Sequence, residues 1–254
     1  MPQEQGIRML SITAEVMGRT ETIHPTIMWD RNELVLVDTA YPGQFPLLSH
    51  AIASTGLSME RLSKVIISHQ DLDHIGSLPA ITEQFPDVEV IASAMDQPYI
   101  QGDQRLLKLT PDAIAEAVNS LPEGVPDEWK SAFKHTLENP PKAHVHTTVA
   151  NEEELPVCGG IIIIHTPGHT PGHLSLYHKP SRTLIAADAL IVDQGELAAP
   201  DPLYCHDFEL ANTSIQQFLN YDIRQVICFH GGLYDRDCNK RIAELAEKSA
   251  DSGT

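Results

Sequence analysis

SHQDLDHIG, residues 68–76, sets His69, Asp71, Asp73 and His74 within six residues, directly after the short apolar run KVIIS (64–68). A run of that length, rich in β-branched residues, reads as a strand. Four metal-capable side chains packed so closely cannot all enter an apolar core, because an unpaired buried carboxylate is costly or is forced neutral. A tight turn at the strand end can instead point all four at one or two cations.

Moving outward, three further stretches carry the same kind of residue in the same kind of place. HTPGHTPGHLSLY (165–177) brackets His169 between two Pro-Gly turns, which fixes an imidazole in position. His165 and His173 are candidates by residue type and read more simply as structural histidines. LIAADAL (184–190) ends an apolar strand on Asp188, and VICFHGG (226–232) ends another on His230, with two glycines that let the chain turn sharply. Each candidate follows the C-terminal end of a strand, where α/β proteins gather ligands.

The remaining sequence supplies the frame. IRMLSIT (7–13), TIHPTIMWD (22–30) and ELVLVDT (33–39) read as strands, followed by a helix over 45–55 that Gly56 ends. A helix over 76–85 and the strand VEVIAS (88–93) come next. Residues 94–150 break the rhythm with two helices, TPDAIAEAVNSL (110–121) and PDEWKSAFKHTL (126–137), and with Pro122, Pro126, Pro140 and Pro141. They form a mostly helical cap insertion, and Tyr99, Leu106, Trp129 and Phe133 are expected to present an apolar wall from it. The segment also holds His135, His144 and His146, which are not needed as ligands. GGIIIIH (159–165), HLSLYHK (173–179), RTLIAAD (182–188) and RQVICFH (224–230) continue as strands, with helices over 207–219 and 235–248. The expected architecture is α/β, with two βα halves stacked sheet to sheet in one domain spanning 1–254.

Composition removes several functions. The 254 residues carry 17 Lys and Arg against 35 Asp and Glu, a formal charge of −18. No dense Lys/Arg cluster occurs, so neither nucleic acid nor an anionic membrane is an expected partner. No apolar run approaches the roughly 20 residues that span a bilayer. Cys158, Cys205, Cys228 and Cys238 follow no disulfide or CxxC spacing, and the MPQEQ start lacks the marks of a signal peptide. A cytoplasmic address, with a small-molecule substrate and optionally a second copy of the chain in a homodimer, is the expectation.

Taken together, H-x-D-x-D-H, TPGHT, the AAD strand end and FHGG resemble the metallo-β-lactamase superfamily of hydrolases and oxidoreductases, over nearly the whole chain. LVDTAYPG (36–43) resembles its early strand, which ends here in Asp38, a structural position. The resemblance implies a four-layer αββα sandwich and two metal ions. His69, Asp71 and His169 would hold the first metal, Asp73, His74 and His230 the second, and Asp188 would bridge them. The usual pattern is His-x-His-x-Asp-His, so Asp71 stands where a histidine belongs. Its harder oxygen donor favours Mn²⁺ or Fe²⁺ relative to zinc, although Zn²⁺ remains the first expectation.

Two such ions lower the pKa of a shared water towards about 7 and hold a carbonyl oxygen, which removes the need for a Ser or Cys nucleophile. Asp73 is the residue that would orient the water and shuttle its proton. The expected activity is a lactonase- or esterase-like hydrolase acting on a small ester, lactone or related carbonyl substrate. Acyl-homoserine lactonases carry a Tyr three positions after the bridging Asp, where this chain has Ile191; Tyr204 or His206 could supply that hydrogen bond. One alternative is a non-haem di-iron oxidoreductase related to flavodiiron proteins, which also place a carboxylate at the second motif position but carry an appended flavodoxin-like domain. The other is a metal-bearing, non-catalytic binding module.

Overall fold

A computed structural model describes residues 4–251, so the first three residues of the MPQEQ start lie outside the described residues. The N-terminal half builds a six-stranded sheet in the order β1 (Gly6–Met9), β4 (Thr26–Trp29), β5 (Leu34–Val37), β6 (Leu62–Ile66), β7 (Glu89–Ser93) and β8 (Thr147–Val149). Strands β5 to β8 run parallel, and β2 (Ile12–Val16) and β3 (Arg19–Ile23) form an antiparallel hairpin of their own. The C-terminal half builds a second sheet that is antiparallel except for the β12–β15 pair. It contains β9 (Glu154–Leu155), β10 (Ile161–His165), β11 (Leu174–His178), β12 (Thr183–Ala187), the small hairpin β13 (Ile191–Asp193)–β14 (Glu196–Ala198), β15 (Gln225–Cys228) and β16 (Gly232–Tyr234). The second sheet runs β16-β15-β12-β11-β10-β9.

Period-two alternation sorts each strand into two faces. In β5, which is buried throughout, Val35 and Val37 meet Ile161, Ile163, Leu174 and Leu176 of the second sheet. Leu34 and Leu36 point the other way, towards Leu48 and Ile52 of α1 (Phe45–Ala53). On the far side, Leu184, Ala186, Val226 and Cys228 meet Ile215, Phe218 and Ile242. The layers are therefore helix, sheet, sheet, helix: the four-layer αββα sandwich expected from sequence. No helix among the described residues is long and apolar enough to cross a membrane.

Some elements depart from the sequence expectation. IRMLSIT is two strands with a break at Leu10-Ser11, and TIHPTIMWD breaks at Pro25, which has no N–H to give a ladder. The helix expected over 207–219 is α7 (Phe208–Ser214), continued by a tighter 3₁₀ turn, Ile215–Asn220. Short elements α2 (Leu72–Ile75), α3 (Leu78–Gln84) and α4 (Gln97–Ile100) precede the two cap helices, α5 (Pro111–Asn119) and α6 (Asp127–Glu138), and α8 (Cys238–Asp251) closes the chain. The segment 94–150 is also tied into the core. Its end is edge strand β8, and its Ile100, Leu106 and Val145 are buried under the first sheet.

Candidate metal centre

The ends of β5, β6, β10, β12 and β15 converge on one edge of the sandwich. Asp38, directly after β5, takes a left-handed backbone (φ 63°) and accepts from the Ser68 N–H and hydroxyl, both at 2.8 Å. This bracket sets the start of the 68–76 turn. The Ser68 hydroxyl also lies 3.0 Å from His69 Nδ1, and Asp38 Oδ2 lies 2.9 Å from His74 Nδ1. With its Nδ1 engaged, each of these fully buried rings turns its Nε2 inward.

Four histidines meet at Asp188. Its Oδ2 is 3.3 Å from His169 Nε2, 3.5 Å from both His74 Nε2 and His230 Nε2, and 3.9 Å from His69 Nε2. The potential ligand atoms of His69, His169 and Asp188 all lie within 4.8 Å of one another, as do those of Asp73, His74 and His230. Asp71 Oδ2 sits against the first group, 3.0 Å from His169 Nε2 and 3.2 Å from His69 Nε2. The structure thus brings together all seven residues singled out by sequence.

The donor set fits a divalent metal. His69 Nε2, His74 Nε2 and Asp188 Oδ1 are buried with no hydrogen-bond partner, an arrangement that is expensive unless a cation satisfies it. The charges are strongly coupled. Burial alone would raise the carboxyls of Asp71 and Asp188, yet the surrounding histidines hold both well below the usual carboxylate range. Burial would lower His230, but Asp188 and Asp73 hold it up to about 10. His69 is lowered, by burial first and then by His74.

Other candidates have supporting positions. His173 Nδ1 lies 2.8 Å from the Thr166 hydroxyl, and its Nε2 accepts from the Asp188 N–H at 3.2 Å, so both nitrogens are used in holding Asp188. His165 extends from β10 and joins neither group. His146 Nδ1 accepts from the Val90 N–H, and the His144 ring meets it edge-on with centroids 5.0 Å apart, so this pair serves the edge of the first sheet.

Sequence reasoning missed three residues. Asp96, 1% exposed, accepts from Gln70 N–H and Nε2, the Thr170 hydroxyl and the Gly172 N–H, at 3.0–3.2 Å. It clamps the 68–76 turn to the 165–173 loop. A Cβ on Gly172 would come 2.5 Å from its carboxylate, so only glycine fits. Asp96 follows the end of β7, and the strand-end logic used for Asp188 could have found it. Lys108 bonds Asp71, and its Nζ is 2.9 Å from His169 Nε2. Tyr41, whose hydroxyl donates to Glu21 at 3.0 Å, also faces the centre. Nothing local in the sequence marks either of them.

Above the centre opens a cavity of about 520 Å³ whose lining includes Asp71, Asp73, His169, Asp188 and His230. Tyr204 lines it, whereas His206 does not; the His206 N–H instead donates to the His169 carbonyl. Of the expected apolar wall, only Leu106 lines the cavity, joined by Leu72, Leu109 and Ile191. Trp129 is 72% exposed, and Phe133 and Tyr99 lie outside the lining. The reason is that α5 and α6 pack on each other, leaving the loop before α5 to form the wall.

Comparison with known proteins agrees with this geometry. The family model described as the metallo-beta-lactamase superfamily matches residues 21–230. The chain is 25% identical over 229 residues to the probable metallo-hydrolase YflN of Bacillus subtilis, covering 85% of this chain and 83% of that protein. It is 31% identical over 160 residues to YobT of the same organism, a match spanning 63% of this chain and 58% of that relative. In fold it is similar to a metallo-beta-lactamase family protein from Thermus thermophilus, with a TM-score of 0.67, 22% identity, and coverage of 97% of this chain and 80% of that one. The matched region holds every residue of the converging His/Asp set, and the chain belongs to the metallo-beta-lactamase superfamily.

Proposed function

We propose that this chain is a dinuclear metal-dependent hydrolase of small, partly apolar esters or lactones. The observation that carries the reading is the pair of buried Nε2 atoms of His69 and His74, without hydrogen-bond partners, facing the Asp188 carboxylate of a cavity also lined by Asp73 and His230. His69, Asp71 and His169 would hold one ion and Asp73, His74 and His230 the other, with Asp188 between them. Bound there, the ions would supply an activated water at neutral pH and polarise the substrate carbonyl.

The protein's own groups do the rest. Asp73 Oδ2 lies 3.3 Å from His230 Nε2 and is turned to the cavity, so it is placed to hold a proton and pass it to the leaving group. Tyr204, exposed on the rim, offers a hydroxyl to the substrate. Leu72, Leu106, Leu109 and Ile191 shield one side from water and favour an apolar acyl or alcohol portion. No Ser or Cys lines the cavity among the described residues, which agrees with a water-derived nucleophile. The name of the relative YflN, a probable metallo-hydrolase, supports the reaction class. Three carboxylates among the donors suit Zn²⁺, Mn²⁺ or Fe²⁺, with Zn²⁺ placed first.

Elemental analysis of protein purified without added metal, combined with a screen of short-chain esters and lactones, tests the proposal. Close to two equivalents of metal with ester or lactone turnover is expected. Iron with oxygen consumption would replace this reading with an oxidoreductase, and bound metal without turnover would leave a binding module.

A further inference from the structure

Lys108 is the one Lys or Arg among the residues lining the cavity, against Glu21, Asp71, Asp73, Asp188 and Asp201. The two residues before it anchor its backbone. The neighbouring Leu107 N–H donates to Gln70 Oε1 at 2.8 Å, and Leu106 is buried in the core. Gln70 stands between His69 and Asp71 and is itself fixed by Asp96. The ammonium is therefore delivered to the centre by the same clamp that shapes the 68–76 turn.

Its partners are the decisive point. Lys108 Nζ bonds Asp71 Oδ2 and lies 2.9 Å from His169 Nε2, the two atoms through which those side chains would grip the first metal. An ammonium has three donors and no lone pair, so it fills the place of a cation without being able to share it. The second group lacks such a resident: Asp73 pairs with His74 at 3.6 Å and His230 at 3.3 Å, and no Lys or Arg bridges to it among the described residues.

We propose that Lys108 competes with metal for the His69/Asp71/His169 site, so that the two sites fill unequally, the Asp73/His74/His230 site first. A metal entering the first site must take over the Asp71 and His169 lone pairs and displace a like-charged ammonium from its carboxylate partner. The inference rests on the dinuclear centre proposed above and not on which substrate is cleaved.

Titration of chelator-treated protein with Mn²⁺ and, separately, Zn²⁺ by calorimetry tests it. Two resolved steps are expected for the unaltered chain, with His230→Ala removing the tighter and His169→Ala the weaker. Lys108→Met should tighten the weaker step by roughly ten- to hundredfold, the equivalent of about one charge-assisted hydrogen bond, and leave the tighter step where it was. Lys108→Arg, which keeps the charge, should hold the weaker step weak. Lys108→Gln, with thermal melts of both uncharged variants, separates competition from misfolding. A weaker step that stays or loosens in both Lys108→Met and Lys108→Gln would overturn the proposal and make Lys108 a support for Asp71. Equal steps in the unaltered chain would overturn it too. Failure to cleave any ester or lactone with both steps intact would strike only the substrate reading.

Discussion

The floor of the cavity and its wall are built to different standards. At the floor, His169 and Asp188, with His69 and His74 packed against Asp188, are each no more than 5% exposed. Ser68, Asp38 and His173 brace three of them, and the His169 loop is tied down by hydrogen bonds from the His206 and Asp207 N–H groups. The wall is made mostly of side chains from loops and short elements, among them Leu109, Pro200 and Ile191 of the small β13 hairpin, with Tyr204 59% exposed at the rim. An over-determined floor fixes chemistry that is the same for every substrate. A loosely held wall can change the substrate without disturbing that chemistry.

The contrast fails most severely if a floor residue proves dispensable. His169→Ala should remove about one metal equivalent and lower turnover by roughly a thousandfold or more, whereas His144→Ala should change neither, as read by elemental analysis and initial rates. Full activity in His169→Ala would remove the floor from the chemistry. Next in size is the clamp. Asp96→Ala leaves four donors without their acceptor, and a loss of about 2–4 kcal/mol is expected in urea unfolding of the metal-free protein. A loss below about 0.5 kcal/mol would mean that water replaces the carboxylate and the two loops are independently stable.

Two smaller effects also belong to the floor. In the metal-free protein His230, held up to about 10, carries a proton at neutral pH that an incoming ion must displace. The affinity of the Asp73/His74/His230 site should therefore rise with pH towards about 10, by up to about tenfold per unit, with proton release visible in buffers of different ionisation enthalpy. An affinity flat between pH 6 and 9, on the order of three units, would contradict the His230–carboxylate coupling. Asp71→His should raise zinc affinity relative to manganese by about tenfold in a competition titration. An unchanged ratio would put Asp71 outside the metal's reach. The smallest effect belongs to the wall. Leu109→Ala should shift the ratio of kcat/KM between long- and short-chain substrates by about three- to tenfold with metal content intact. Trp129→Ala, remote from the cavity, should leave that ratio unchanged.

The floor was legible because its residues violate local expectation. Carboxylates and imidazoles immediately after apolar strands have no place in a core, and that conflict is readable one stretch at a time. The layers were legible through the order of elements, strands and helices in two successive halves, and the complete burial of β5 and β12 is what such stacking requires. The wall was not legible by the same means. Trp129 and Phe133 carry the apolar character of a lining, but α6 buries Leu137 and turns Trp129 to solvent. Lys108 sits in a turn with no pattern, and its meaning comes from residues 37 and 61 positions away in sequence. A contact made across that distance leaves no trace in composition or period.

The seam between the two halves has a consequence for how the chain acquires its centre. Ile23 forms a bridge with His230, and the His24 N–H donates to the Phe229 carbonyl at 3.0 Å, so the last ligand-bearing strand end is sewn to a hairpin near the N-terminus. Residues that converge on Asp188 thus come from positions 69 to 230, and no fragment of the chain holds them all. Such long-range closure belongs to the slow end of folding. Metal captured there rewards only the finished topology, stabilising it by RT ln(1 + [L]/Kd) while leaving half-built intermediates without that gain. The centre is in this sense a latch on the whole sandwich, one that metal binding tightens and a chelator releases.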